Sequence, residues 1–257
     1  MYDVVALGEL LIDFTTQSTD ADGYPTMAAH PGGAPANFLA AIAKFGGKAA
    51  LLGKVGTDTF GKLLTDTLRK AGIETKGIVA SDDVFTTLAF VTLDENGDRE
   101  FAFARKPGAD TQLRFEELDL SILDETRVFH FGTLSLTDEP ARSTTYRAVE
   151  YARAHGKLVT FDPNLRRPLW KSLDDAKAQM LWGLDHADVV KISDEEIEFL
   201  FGLGVQDGTQ YILEHFPVKL VFATCGAEGC WFQNRKAGGH VDSLKDIKVV
   251  DTTGAGD

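Results

Sequence analysis

Residues 4–12 have the sequence VVALGELLI, in which two apolar runs are separated only by Gly8 and Glu9. An almost continuous apolar run of this length is typical of a β-strand that is buried on both faces. Such strands occur in parallel sheets, where helices cover both faces. We therefore predict that residues 4–12 form the first central strand of a parallel sheet.

The segments that follow this strand alternate between helical and extended patterns. Helical periodicity covers residues 34–45, an apolar strand-like run covers 49–55, and Asp58 is expected to cap a helix that reaches residue 71. The later predicted elements are strands at 128–131, 158–161, 189–192 and 220–223 and helices at 142–155 and 195–201. This alternation predicts an α/β fold with a doubly wound, mainly parallel sheet and helices on both faces.

A small second sheet is predicted by a different pattern. Residues 86–93 and 100–103 alternate in polarity, and the pair Asn96-Gly97 between them is a strong signal for a tight hairpin turn. We expect a β-sheet lid, built from about residues 15–30 and 85–111, on one large domain of residues 1–257.

The composition restricts the partners and the compartment. The 257 residues carry a formal net charge of −13, which argues against nucleic acid and anionic membranes as partners, since both attract basic proteins. Two cysteines, Cys225 and Cys230, fit no zinc spacing, and no basic and apolar leader follows Met1. We therefore expect a cytoplasmic protein that binds neither nucleic acid nor membranes.

The last seven residues, 251–257, have the sequence DTTGAGD and follow an apolar run at 247–250. A Gly-Ala-Gly turn leaves backbone N–H groups free to bind an anion, and Asp257 beside it could deprotonate a hydroxyl group. The same residues could equally form an ordinary glycine-rich turn with a helix-capping aspartate. The motif alone leaves both interpretations open.

Two motifs together resemble the signatures of the ribokinase-like (pfkB) carbohydrate kinases. Residues 251–257 resemble the C-terminal signature, and residues 32–61, which begin with Gly32-Gly33-Ala34-Pro35-Ala36-Asn37, resemble the N-terminal one. The resemblance covers essentially the whole chain. It implies a ribokinase-like fold and an ATP-dependent phosphotransferase that acts on the primary hydroxyl of a sugar.

Residues 105–110 and 162–168 look more like those of fructokinases than those of ribokinases or nucleoside kinases. The resemblance therefore implies phosphorylation of D-fructose to fructose 6-phosphate. The alternatives within the family are 2-keto-3-deoxygluconate kinase, ribokinase and nucleoside kinase. A hypothesis of another class is a non-catalytic sugar-binding relative or a truncated fragment, because the C-terminal signature should continue into a helix beyond Asp257.

The resemblance also implies roles for individual residues. Asp257 would be the general base, and Gly254, Ala255 and Gly256 would form an anion hole. The residues that would bind the sugar are Asp13, Gly32, Gly33, Asn37, Phe103, Arg105 and Arg166. The residues that would bind ATP are Lys191, Ser193, Thr224, Gly226 and Gly229. The residues implied near metals are Glu196, for Mg²⁺, and Asp251 and Thr253, for a monovalent cation such as K⁺. A homodimer that pairs two lids is a further expectation.

Several of these residues could have an ordinary structural role instead of a role in the site. Asp13 could be a strand-end residue exposed to water, although ligands collect at the carboxyl ends of parallel strands. Asn37 could be an ordinary polar helix position, and Arg105 a solvated surface charge. Ser193 and Glu196 have the spacing of a helix capping box, and the family usually has asparagine at the position of Ser193.

Overall fold

The computed structural model describes residues 1–93 and 99–245 together with Gly254 and Gly256. The strands of this part of the chain are β1 (Tyr2–Leu7), β2 (Leu11–Thr19), β3 (Pro25–Gly32), β4 (Ala49–Gly56), β5 (Ile78–Ser81), β6 (Leu88–Leu93), β7 (Arg99–Ala104), β8 (Thr126–Gly132), β9 (Leu158–Asp162), β10 (Val189–Ser193), β11 (Leu220–Thr224), β12 (Cys230–Asn234) and β13 (Gly238–Val241). The helices are α1 (Ala34–Lys44), α2 (Thr59–Lys70), α3 (Leu120–Asp124), α4 (Ala141–Ala154), α5 (Leu173–His186), α6 (Asp194–Phe201) and α7 (Val205–His215). Within the described ranges, no helix combines the length and the apolar character needed to cross a membrane.

The large sheet has the strand order β13-β12-β11-β10-β9-β8-β1-β4-β5. Its strands from β11 to β5 are parallel, and β12 and β13 are antiparallel additions at one edge. Successive residues of β1 point to opposite faces: Val5 and Leu7 belong to the core beneath α3 to α7, whereas Val4 and Ala6 belong to the core beneath α1 and α2. The prediction of a doubly wound α/β fold is therefore confirmed.

The prediction of one strand over residues 4–12 is wrong, because the chain changes sheets inside this stretch: β1 lies in the large sheet and β2 in the small one. Gly8 permits the crossing, since a Cβ there would lie only 2.6 Å from Pro35 at the start of α1. The apolar pattern continues across the crossing because Leu10 and Ile12 are buried in the same core as α1. Burial alone therefore could not distinguish one strand from two.

The small sheet has the order β3-β2-β6-β7. Its outer pairs are antiparallel, and the central pair of β2 with β6 is parallel. Its strands occupy residues 11–32 and 88–104, which lie close to the predicted lid segments. Asn96 and Gly97 lie outside the described residues, but the strands on either side pair antiparallel as expected, with Leu93 opposite Arg99.

The helix ends follow local capping chemistry. The Asp58 carboxylate accepts hydrogen bonds from the backbone N–H groups of Phe60 at 2.9 Å and Gly61 at 3.1 Å, which confirms it as the cap of α2. Helices α5 and α7 were not predicted, although Ser172 caps α5 by accepting a hydrogen bond from the Asp175 N–H at 3.1 Å. They cross between β9, β10 and β11, as a parallel sheet requires.

Candidate active site

A cavity of about 410 Å³ is lined by residues of both sheets. The lining residues from the small sheet are Leu11, Asp13, Val91 and Phe103. Those from the carboxyl-terminal parts of parallel strands of the large sheet are Lys191, Ser193 and Thr224. The first turns of α1 and α6 complete the wall with Ala34 and Glu195 among others. The cavity thus lies where open α/β sheets place their ligands.

Most residues that the sequence pointed to line this cavity. They are Asp13, Gly33, Asn37, Phe103, Arg166, Lys191, Ser193, Glu196, Thr224, Gly226, Gly254 and Gly256. The lining does not include Gly32, Arg105 or Gly229. Asp251, Thr253, Ala255 and Asp257 lie outside the described residues. The fold therefore brings together side chains and glycine backbone from nearly the whole length of the chain.

Asp13 lies inside β2, opposite His30 of β3, and not beyond the end of a strand. Its carboxylate packs against Gly32, where a Cβ would lie only 2.1 Å from Oδ2 of Asp13. Glycine is thus needed at position 32 to leave room for the carboxylate. Gly32 supports the site through Asp13 although it does not line the cavity.

The start of α1 is held by a residue that sequence reasoning did not select. Gly33 is the N-cap of α1, with φ of 112°, and has no side chain to cap the helix. Glu9 takes this role, because its Oε1 accepts a hydrogen bond from the Ala34 N–H at 2.9 Å. A Cβ on Gly33 would also lie 2.4 Å from the Glu9 carbonyl oxygen. The crossing between the sheets and the start of α1 are therefore packed directly together.

Glu9 is only 2% exposed. Burial raises the pKa of its carboxyl group to about 8, and hydrogen bonds from its own N–H and that of Ala34 oppose the shift only in part. The nearby Asp110 carboxylate raises the pKa further, whereas Arg105 lowers it. The signal that could have identified Glu9 is a single acidic residue between two apolar runs.

The opposite end of the cavity carries a lysine beside glycine backbone. Lys191 Nζ lies 3.1 Å from Oδ2 and 3.2 Å from Oδ1 of Asp162. A Cβ built on Gly256 would lie 3.6 Å from the same Nζ, so Gly256 of the C-terminal motif adjoins the ammonium group. A cation next to glycine-rich backbone is suited to bind phosphate.

Ser193 and Glu196 form the capping box at the start of α6. The Ser193 hydroxyl accepts from the Glu196 N–H at 3.2 Å, and Glu196 Oε2 accepts from the Ser193 N–H at 2.9 Å. The other oxygen of Glu196, Oε1, accepts from the Leu165 N–H at 2.7 Å. Both carboxylate oxygens of Glu196 are thus held by backbone donors. In the described part of the chain, no cluster of three or more His, Cys, Asp or Glu side chains could hold a metal ion.

The loop after β11 is both a tight turn and part of the cavity wall. It is a tight hairpin, with Thr224 opposite Cys230, and Thr224 and Gly226 also line the cavity. Gly226 has φ of 53° and Gly229 has φ of 104°, both in the region that favours glycine. A Cβ on Gly229 would lie 2.1 Å from the Val241 carbonyl oxygen, so Gly229 supports the hairpin against β13.

Arg105 is not among the lining residues of this cavity and is 5% exposed, so it is not a solvated surface charge. Its Nε donates to Oδ2 of Asp110 at 2.8 Å, its Nη1 to the Thr137 hydroxyl at 2.7 Å and its Nη2 to the Leu134 carbonyl at 2.8 Å. This environment differs from the one expected for a sugar contact that reaches over the cleft. Arg166 is the arginine among the lining residues of the cavity.

His130 is buried beneath the site on β8. Its Nδ1 lies 2.9 Å from the Thr160 hydroxyl, and its ring centroid lies 4.3 Å from that of Phe38. Burial lowers the pKa of His130 to about 3, with a further contribution from Lys191. His130 is therefore neutral near pH 7 and acts as a structural side chain.

The sequence matches the pfkB family of carbohydrate kinases over residues 1–257, and the chain belongs to that family.

Three relatives show which members of the family the chain resembles. Fructokinase-1 of Zea mays is 44% identical over 257 residues, which cover 99% of this chain and 79% of the maize protein. The crystal structure of fructokinase with bound ATP from Xylella fastidiosa superposes with a TM-score of 0.90 at 33% identity and covers 100% of this chain and 78% of that one. A protein from E. coli, assigned as a ribokinase II and solved in complex with ATP and Mg²⁺, gives a TM-score of 0.89 at 27% identity and covers 100% of this chain and 82% of that one.

Proposed function

We propose that this protein is an ATP-dependent fructokinase, which transfers the γ-phosphoryl group of ATP to the primary hydroxyl of D-fructose and yields fructose 6-phosphate and ADP. The observation that carries the proposal is a cavity that has Asp13 and Asn37 among its lining residues and a lysine beside glycine backbone. The similarity to fructokinases from Zea mays and Xylella fastidiosa supports fructose as the acceptor.

Sugar recognition is assigned to the end of the cavity formed by the small sheet and α1. The Asp13 carboxylate can accept hydrogen bonds from two vicinal hydroxyl groups, and the Asn37 amide can both donate and accept. Gly33 allows the backbone to approach the sugar closely, and Phe103 of β7 offers an apolar surface. This combination suits a neutral polyol.

The phosphate end is assigned to Lys191, Thr224, Gly226 and the turn that contains Gly254 and Gly256. Asp257 is proposed as the general base that removes the proton from the sugar hydroxyl, with the glycine turn as the anion hole. When bound with ATP, Mg²⁺ would neutralise charge on the phosphoryl group that is transferred. Glu196 is the residue of this chain proposed to bind that ion through water. Asp251 and Thr253 are proposed as the monovalent-cation site.

The main competing substrate is 2-keto-3-deoxygluconate, whose carboxylate needs a cationic partner. Arg105 already contacts Asp110, Thr137 and Leu134. The cavity therefore offers Arg166 alone of the two candidate arginines, which favours a neutral sugar.

We also propose a cytoplasmic location, one domain with the small sheet as its lid, and dimerisation through that sheet.

The test measures radiolabelled phosphate transfer from ATP to a panel of sugars and compares kcat/KM for D-fructose with that for 2-keto-3-deoxygluconate. We expect D-fructose to be preferred. Preference for the sugar acid would contradict the fructokinase assignment and leave the kinase assignment intact. Sugar binding without any phosphate transfer would support a non-catalytic relative instead.

A further inference from the structure

The crossing between the two sheets places a buried carboxyl group in the wall of the cavity. Glu9 lines the cavity and is 2% exposed. Its Oε1 is bonded to the Ala34 N–H, and its own carbonyl packs against Gly33. None of the roles described above, for sugar or for phosphate, uses this side chain.

We propose that Glu9 is a positioning residue for the sugar: its buried carboxyl group accepts the hydrogen bond from the Ala34 N–H and thereby fixes the Gly33–Ala34 turn at the sugar end of the cavity. The inference rests on the proposed function, because it assigns the sugar to this end of the cavity. It concerns the acceptor site and not the phosphate end.

The contacts of this turn explain why its position affects the sugar. Gly33 lines the cavity, and its carbonyl accepts the hydrogen bond from the Asn37 N–H at 3.0 Å, so the two residues move together. The preceding residue, Gly32, packs against the Asp13 carboxylate. A shift of the turn therefore displaces three of the groups assigned to the sugar.

The surroundings of Glu9 favour its neutral form. Burial opposes the negative charge most strongly, and the Asp110 carboxylate adds repulsion. Arg105 attracts the charge, but its guanidinium is shared with Asp110. The N–H group of Glu9 also favours the anion, and so does that of Ala34, which lies at the positive end of the α1 dipole. Asp13 and Arg166 are further charged residues that line the same cavity. The balance gives a pKa of about 8.

The sign of the pH effect follows from this pKa. Below about pH 8 the carboxyl group is neutral and fits its buried position. Above that pH a buried anion is formed, and it is stabilised by drawing water or donors toward it, which disturbs the turn. We expect the KM for D-fructose to rise roughly tenfold across this range, with little change in kcat, since a single hydrogen-bonded contact has about that value.

The experiment compares wild type, Glu9→Gln and the control Glu150→Gln, which changes an exposed glutamate on α4. KM and kcat for D-fructose are measured at a series of pH values on both sides of about 8. Glutamine cannot ionise and keeps an oxygen for the Ala34 N–H, so its KM should stay near the low-pH value of wild type throughout. Glu150→Gln should follow the wild-type profile. The same pH dependence of KM in wild type and Glu9→Gln would overturn the inference.

A second measurement does not depend on activity or on a folded variant. Infrared spectra of the wild-type protein should contain the carbonyl stretch of a buried protonated carboxylic acid, which disappears as the pH rises through about 8. Its absence at lower pH would also overturn the inference. A wild-type protein that shows this band but phosphorylates no sugar would instead contradict the proposed function.

Discussion

The guanidinium group of Arg105 and the carboxylate of Asp110 form a buried ion pair, with Nη2 and Oδ2 2.7 Å apart and side-chain exposures of 3% and 2%. The Thr87 hydroxyl donates to the other oxygen of Asp110. Arg105 also binds Thr137 and Leu134, so the pair ties the end of β7 to the segment after β8. A buried charge pair of this kind is sensitive to the loss of either partner.

Replacement of Arg105 by methionine should lower the free energy of unfolding by about 3–5 kcal/mol, because Asp110 would remain buried without its cation. Urea denaturation measures this change. The control Arg69→Met removes an ion pair on the surface of α2, where the side chains are 61% and 42% exposed, and should have little effect. A stable Arg105→Met variant with a strongly raised KM for the sugar would show that Arg105 contacts substrate.

Asp13→Ala should raise the KM for D-fructose roughly ten- to hundredfold, since the sugar would lose a charged hydrogen-bond acceptor. Gly32→Ala leaves Asp13 in the sequence but should have a similar effect. The new methyl group would lie 2.1 Å from Oδ2 of Asp13 and would displace its carboxylate. Steady-state kinetics provide the measurement, and Asp22→Ala in the exposed turn before β3 is the control. Unchanged KM in both variants would remove Asp13 from the sugar site.

Asp257→Asn should lower kcat by about a hundredfold or more and leave the affinity for the sugar nearly unchanged, as expected for the loss of a general base. Asp242→Asn, an exposed carboxylate after β13, serves as the control. Turnover within a few-fold of wild type would contradict the assigned role of Asp257.

Glu196→Gln should destabilise the protein by about 1–3 kcal/mol, because an amide N–H₂ group would face one of the two backbone donors that the carboxylate now accepts from. If Glu196 also acts on Mg²⁺ through water, the KM for MgATP should rise while that for D-fructose stays constant. Glu198→Gln, an exposed residue of α6 that is not among the lining residues of the cavity, is the matched control. A stability loss with normal kinetics would limit Glu196 to helix capping.

Stability should fall in acid because of His130. Its pKa is about 3 in the folded protein and near 6.5 when unfolded, so its contribution is fully present above pH 6.5 and is lost as the pH falls toward 3. This shift corresponds to at most about 5 kcal/mol. His130→Gln should flatten the pH dependence of urea denaturation over this range, whereas the exposed His215→Gln should not. The same slope in wild type and His130→Gln would contradict the buried neutral state.

The sequence predicted the parts of the fold that depend on local pattern. The apolar run at β1, the cap at Asp58 and the box at Ser193 and Glu196 each arise from neighbouring residues, so short motifs were sufficient to predict a strand or a helix start there. The crossing at Gly8 depends on the position of Pro35, 27 residues away, and no local pattern contains that information.

The site was predictable to the extent that it follows from the order of strands. Lys191 and Thr224 were implied by the resemblance to the family, and they lie together because the carboxyl-terminal parts of neighbouring parallel strands meet at one edge of the sheet. Glu9 and Arg105 depend on burial instead. A charged side chain is usually exposed, and only the packed structure reveals that these two are enclosed by Ala34, Asp110 and their neighbours.

The connection from β1 to β2 has only three residues, Gly8 to Leu10, and this fixes which insertions the chain can accept. One additional residue there would shift β2 by one position against β6, and since side chains alternate along a strand, Asp13 would turn to the opposite side of its sheet. The exposed turn between β2 and β3, residues 20–24, has no such constraint and can lengthen freely. We therefore expect insertions to be tolerated in the turn between β2 and β3 and not in the connection from β1 to β2.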